Sequence, residues 1–262
     1  MAINVNDVYQ TVLFILNKEQ RGYMTPAEFN QVSAQVQLSI FEKYFEDLNF
    51  YLRNPKIASE YADRVKTLEE KIAEFEYSDV VDADGLAAGT NNGTFILAPN
   101  TVVPAEGTTR DVHRLGTIAY DSTFLGLPEI ELQSSTIHDL NNLKRSKLTN
   151  PTLQEPLYVL QNSNILKAFP NTITKINAYY IKKPANPIWA FNIGSLGQYE
   201  FVEEGGVSAY PIGGSINFEI SDQDRTEVVL GILMYAGVII RDPQIVATAE
   251  QALRQEEITE KS

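Results

Sequence analysis

The sequence predicts an α+β fold in which helices at both ends flank a strand-rich middle. Three observations predict it. Apolar residues recur at three- and four-residue spacing over residues 1–78 and 221–262, the period of helices buried along a stripe. Residues 94–220 instead break into short β-branched and aromatic runs, and most of the prolines fall there. The polar turn at 17–30 carries helix-start chemistry: Thr25 suits the N-cap, Pro26 the first helical position, and Glu28 closes a capping box.

Each element follows in order. Val8, Val12, Ile15 and Leu16 define the first helix, with Leu13 and Phe14 widening its stripe. After the turn, Phe29, Val32, Val36, Ile40, Tyr44 and Leu48 form one stripe of a second helix. Leu38, Phe41 and Phe45 form another. A helix apolar on two faces needs two partners, and a neighbouring subunit is one candidate. Asn54-Pro55 ends it. A third helix carries Ile57, Tyr61, Val65, Leu68, Ile72 and Phe75. Its charged residues, Asp63, Arg64, Lys66, Glu69, Glu70, Lys71 and Glu74, are expected in water.

Residues 79–93 are rich in turn formers and read as a mobile loop. The strands of the middle are expected at 94–98, 113–120, 157–161, 173–181 and 216–220. A short helix from Thr136 to about Leu148 interrupts them, with Leu140 and Leu143 inward. Ser221 is the expected N-cap of a C-terminal helix, with Asp222 and Asp224 in its first turn. Asp242-Pro243 restarts a last helix. The expected organisation is therefore 1–78 helical, 79–93 loop, 94–220 strand-rich, and 221–262 helical and packed on the first region.

Composition limits the chemistry. The 262 residues suffice for a sizeable core, and 44% of them are apolar. The chain has no cysteine and two histidines, His113 and His138, so disulfides, thiolate sites and multi-His metal sites fall away. Its net charge is −13, concentrated in residues 184–262, where 12 acidic face 4 basic side chains. An acidic surface disfavours phosphate backbones. The one basic cluster is Lys144-Arg145-Lys147, which reads as a solvated helix end. No basic n-region precedes the short apolar run 12–16, and no stretch approaches a membrane span.

No catalytic motif emerges. Asp82-Ala83-Asp84-Gly85 resembles part of a calcium loop, but the first and twelfth positions would be Val80 and Asn91, so an Asx turn suits it better. Gly205-Gly206 and Gly213-Gly214 lack phosphate-loop spacing and read as hairpin turns. His113 beside Asp111, and His138 beside Asp139, have no partnering nucleophile elbow. Adjacent acids such as Glu203-Glu204 do not supply a glycosidase geometry. The run Tyr179-Tyr180-Ile181-Lys182-Lys183-Pro184, reaching the sole Trp at 189, has the composition of a contact surface; equally, Trp189 can plug a core.

Asn17-Lys18-Glu19-Gln20-Arg21-Gly22-Tyr23, then Thr25-Pro26-Ala27-Glu28-Phe29-Asn30, then Phe41-Glu42-Lys43-Tyr44-Phe45 resembles structural virion proteins of crAss-like phages and related podoviruses. Tyr180 to Pro184 with Pro187 and Trp189, and Ala236-Gly237-Val238 with Arg241-Asp242, agree in order. The resemblance covers both ends and part of the middle. It implies a non-enzymatic structural subunit of the virion, made in the host cytoplasm. The implied assembly is a head–tail neck ring or connector below the portal, often of twelve copies, with genome DNA passing through unbound. Its partners would be further copies, the portal and other neck or tail proteins, with no cofactor and no membrane. Gln20, Arg21, Gly22 and Tyr23 are the expected contact turn. The alternative is a tail-associated module that binds a cell-surface glycan through Tyr179, Tyr180 and Trp189.

Overall fold

The computed structural model describes residues 2–18, 23–53, 59–82, 93–96, 111–120, 129–161, 165–211, 213–240 and 247–255. It has the expected α+β architecture, with helices at both ends and strands between. The chain divides into two compact units. One comprises Met1–Ile72 and Pro184–Ser262, and the other Ala73–Lys183.

The first, helical unit contains α1 (Val5–Lys18), α2 (Pro26–Arg53), α3 (Ser59–Ala73, to Ile72), α5 (Arg225–Ile240) and the helical residues 247–255. The start of α2 is the capping box read from sequence. The Thr25 N–H donates to Glu28 Oε2 at 2.8 Å, and the Glu28 N–H donates back to Thr25 Oγ1 at 3.4 Å. α5 packs on α2 and α1. It can close on α2 because Gly231 has no side chain: a Cβ there would sit 2.9 Å from a Val36 methyl.

Most of both stripes of α2 is buried, with Leu38 and Leu48 half-buried. Phe29, Val32, Val36, Ile40 and Tyr44 are buried, but so are Phe41 (0% exposed) and Phe45. The large apolar side chains that α2 leaves open are Phe50 and Leu52, outside both stripes, and little of either stripe is left for another subunit. Two long polar residues on the same helix share in this. Asn30 accepts the Trp189 N–H (2.8 Å) and donates its amide to the Trp189 carbonyl (3.2 Å). Seven residues on, buried Gln37 donates to the Ala185 carbonyl (2.7 Å) and accepts the Glu219 N–H (3.1 Å). Helix α2 thus holds the extended segment 184–189 by its main chain, as a neighbouring strand would.

That grip explains a boundary the sequence misplaced. The expected strand region 94–220 does not hold together, because residues 184–220 belong to the helical unit. There β10 (Ala190–Ile193) and β11 (Tyr199–Val202) form a hairpin, and an isolated bridge joins Phe191 to Tyr210. β12 (Phe218–Ser221) pairs with β1 (Ala2–Ile3). Ser221 ends β12 and makes no capping bond; a 3₁₀ turn, Asp222–Asp224, stands between it and α5.

The second unit is a small sandwich of two four-stranded sheets. One has the order β2 (Glu76–Asp82), β9 (Lys175–Lys182), β4 (Val112–Tyr120), β5 (Ile130–Glu131). The other has β3 (Thr94–Ile96), β8 (Ile165–Phe169), β7 (Leu157–Gln161), β6 (Gln133–Ser134). Ile118, Ile176, Ala178 and Tyr180 from the first sheet and Phe95, Leu166 and Ala168 from the second make one core. Strand β4 bulges near Gly116, where a Cβ would meet the Tyr179 carbonyl at 2.9 Å.

Two expectations need correcting here. Residues 79–82, assigned to the loop, continue β2 and pair with β9; 83–92 lie outside the described residues. The short helix α4 (Ile137–Leu143) starts at the Thr136 cap as expected but ends sooner, in a turn over residues 144–150. The Asp242-Pro243 restart lies outside the described residues; 247–255 is helical and buries Ala249.

Candidate contact surface

The β10–β11 hairpin builds an aromatic face that runs from the core of the helical unit to its surface. Residues two apart on a strand share a face, so Trp189, Phe191 and Ile193 line up, opposite Tyr199 and Phe201 on β11. The rings touch in series. Trp189 meets Tyr9 (4.6 Å between centroids), Phe201 (5.6 Å) and Phe191 (5.8 Å). Phe191 then meets Tyr199 edge-on at 4.9 Å and stacks on Tyr210 at 5.7 Å.

Exposure rises along that series. Trp189 is 5% exposed, while Tyr199, Tyr210 and Ile193 stand open to solvent. Beyond them Leu196, at the hairpin tip, is 91% exposed and Val207 is 90% exposed. Bonds among residues 192, 203–211 and 213–215 hold Val207 and Tyr210 in place. Gly214 packs on the other glycine pair so closely that a Cβ would lie 2.6 Å from the Gly205 nitrogen. Asn192 accepts the Ala209 N–H at 2.8 Å and donates to the Val207 carbonyl at 3.4 Å, and Ser208 donates to carbonyls of the same loop. The sequence suggested hairpin turns for both glycine pairs; the β10–β11 hairpin itself turns at residues 194–198, while Gly205 lies in a turn and Gly213 in a bend. Their purpose here is to pinch a loop that displays apolar side chains.

The expected site residues separate. Gln20, Arg21 and Gly22 lie outside the described residues. Tyr23 is exposed and hydrogen-bonds Tyr9, whose hydroxyl also donates to the Met24 carbonyl at 3.1 Å. Burial, then the Tyr23 hydrogen bond and the nearby Tyr23 and Tyr199 hydroxyls, push the Tyr9 pKa far above that of an ordinary tyrosine. Tyr9 thereby links the end of the polar turn to the aromatic series.

Trp189 is a core residue, its indole N–H donating to Asn6 Oδ1 at 3.0 Å. Tyr180 is also core, 3% exposed, donating its hydroxyl to Asp79 and stacked with Tyr77 in the sandwich unit. Neither can offer a ring to a ligand: this corrects Tyr180 as a contact residue, and of the two readings of Trp189, contact or core plug, the structure has the core plug. Alternation along β9 turns Tyr179 outward, with its hydroxyl 3.5 Å from Glu129.

Sequence reasoning missed Ile193, Leu196, Tyr199, Val207 and Tyr210. The glycine pairs and the Tyr-Glu-Phe-Val run were available signals, but the period of strands this short is too brief to fix which side faces water.

A second concavity, a pocket of about 260 Å³, lies between α2, α3 and the start of α5. Lys71 donates to Asp224 Oδ1 at 2.8 Å, the Tyr44 hydroxyl donates to Asp224 Oδ2, and Lys43 pairs with Glu227 at 2.8 Å. Asp224 is buried and both its oxygens are already occupied. Each oxygen takes a donor from a different helix, so the cluster works as a clasp between three helices. Lys71, expected in water, points inward here; Arg64, one helical face with it, also lines the pocket. Among the described residues no three His, Asp or Glu side chains gather in a way that could hold a metal ion, and no helix is long and apolar enough to cross a membrane.

No protein-family model matches this chain, and no curated protein matches it.

Proposed function

We propose that the chain is a structural subunit of a tailed-phage virion, forming an oligomeric ring in the head–tail neck below the portal, and that it works by contact and not by turnover. The observation that carries this reading is the cluster of exposed Ile193, Leu196, Tyr199, Val207 and Tyr210 at one end of the helical unit. Aromatic and aliphatic side chains held outward by a pinned loop have the composition of a protein contact site. The sequence resemblance at 17–30 supports the same reading, and Tyr23 from that stretch joins the same aromatic series through Tyr9. The two apolar stripes of α2 add little to it, since most of their residues are buried. The strong acidic balance suits a wall past which DNA slides without binding.

The expected partners are further copies of the chain, about twelve by analogy with closed cyclic assemblies, together with portal and other neck or tail proteins. Antibody labelling of purified particles tests the location. Label at the head–tail junction is expected, and absence of the chain from intact particles would overturn the reading. Native mass spectrometry of the purified chain, alone and with the portal, tests ring formation.

The glycan-binding alternative survives only in altered form. Tyr180 and Trp189 are buried, so of its three residues Tyr179 alone keeps an open ring, and Tyr199 and Tyr210 are further exposed rings that could stack on a sugar. Glycan-array binding that is lost on Tyr199→Ala and Tyr210→Ala would favour it over a ring.

A further inference from the structure

We infer that two surfaces of this chain are complementary halves of one head-to-tail contact, the hairpin end of one copy seating on the turn after α4 of the next. The inference rests on the ring reading above and names the contact that would build it.

The hairpin half is apolar at its centre and acidic at its rim. Between Lys183 and Arg225 the chain has six acidic side chains and no basic one. Three of them, Glu200 on β11 and Glu203 and Glu204 in the loop that leads to Val207, are exposed. Two copies of such a surface repel one another, so a symmetric pairing through it is disfavoured. Its partner must offer apolar atoms surrounded by positive charge.

The sandwich unit carries such a surface. Leu148, at the turn after α4, is 94% exposed, and Ile137 at the start of α4 is also open. Arg145 and Lys147 stand beside Leu148 in water, while Lys144 is committed to the ring of Phe169, 3.7 Å from its centroid. The turn is built to hold this display. The Arg145 N–H donates to the Asn142 carbonyl (3.2 Å), Thr149 Oγ1 to the Leu143 carbonyl (2.9 Å), and the Leu148 N–H to Ser146 Oγ (3.3 Å). A leucine fixed almost wholly in water beside two cations costs solvation in the free chain and regains it on docking. Charge complementarity between two unlike surfaces on one polypeptide gives a heterologous contact, the kind that propagates into rings.

The absence of cysteine makes the test clean. Leu148→Cys and Val207→Cys chains, both changed at open positions, are mixed under mild oxidation. The mixed disulfide should exceed either like pair by about tenfold, because docked thiols meet at high effective concentration. Arg145→Glu with Lys147→Glu should abolish that excess. Glu200→Lys with Glu203→Lys on the other chain should restore it. Rings by native mass spectrometry with only like pairs, or no disulfide, would overturn this contact and leave the ring reading standing. A mixed disulfide in open oligomers that never close would keep the contact and sink the ring. A strictly monomeric chain without the mixed disulfide would remove both.

Discussion

The helical unit and the sandwich unit close their cores in opposite ways. The sandwich does it with period-two alternation: Ile176, Ala178 and Tyr180 inward, Lys175 and Tyr179 outward, and the facing sheet answering with Leu166 and Ala168. Its polar atoms are consumed by ladders between strands. The helical unit has only two-stranded ladders, β1–β12 and β10–β11, and its extended segment 184–189 lies against a 28-residue helix with no ladder to offer it. It recruits side chains instead: Asn30 and Gln37 for the extended segment, Asp224, Lys71, Tyr44, Lys43 and Glu227 for the helix junction. One core is specified by pattern, the other by a few polar residues in exact places. The second kind is the more fragile to single substitutions.

The largest expected effect tests that claim. Asp224→Ala strands the Lys71 ammonium and the Tyr44 hydroxyl in a nearly dry site, and breaking one side of a buried ion pair costs about 3–5 kcal/mol. Helix circular dichroism should melt earlier, with the sandwich tyrosine signals still native at that temperature. An unchanged melt would show that the clasp is decorative. Leu166→Ala, in the sandwich core, should cost about 2–5 kcal/mol by leaving a cavity, and should spare the helix signal. If both substitutions lower both signals together, the units are one cooperative block and the contrast between them dissolves.

Smaller changes sharpen the comparison. Gly231→Ala adds a methyl against Val36, a short branched side chain with little room to turn. Overpacking of about 1–3 kcal/mol outweighs the helix propensity gained, so urea denaturation should shift to a lower midpoint. A pairing with Val36→Ala should recover part of it. The smallest effect concerns pH. The native state holds the Tyr9 proton more tightly than the unfolded chain, whose tyrosines titrate near their ordinary value of 10. Its contribution is therefore complete below that pH and declines above it. Tyr9→Phe gives up the Met24 hydrogen bond, about 1 kcal/mol at neutral pH, and should show a shallower alkaline decline. Equal slopes for the two proteins in thermal melts from pH 8 to 11 would contradict this.

How much the sequence disclosed follows the same division. The box at Thr25 to Glu28, the long apolar stripes of α2, strand β7 and the in-out alternation of β9 were legible because each depends on neighbours in sequence. What was hidden depends on distant partners. Nothing near Lys71 announces that Asp224, 153 positions away, will draw it inward. Nothing near Trp189 says that Asn30 and Gln37 will claim the residues around it for the helical unit. The candidate surface was half legible. Its glycines and tyrosines stood out, but which of the rings face water follows from the hairpin's pairing with residue 210, a contact that no local period encodes.

The two amides on α2 also act as a gauge. Seven residues of helix rise about 10.5 Å, and the four steps of extended chain from Ala185 to Trp189 reach about 13 Å, so the two spans match when they cross at a modest slant. Because both amides clamp backbone atoms, outward side chains between them, such as that of Asn186, can be exchanged without loosening the clamp. Length is what cannot change. One residue inserted between the two anchor points would slide Trp189 off Asn30 and carry every ring beyond it, out to the displayed tip, to the wrong side of the hairpin.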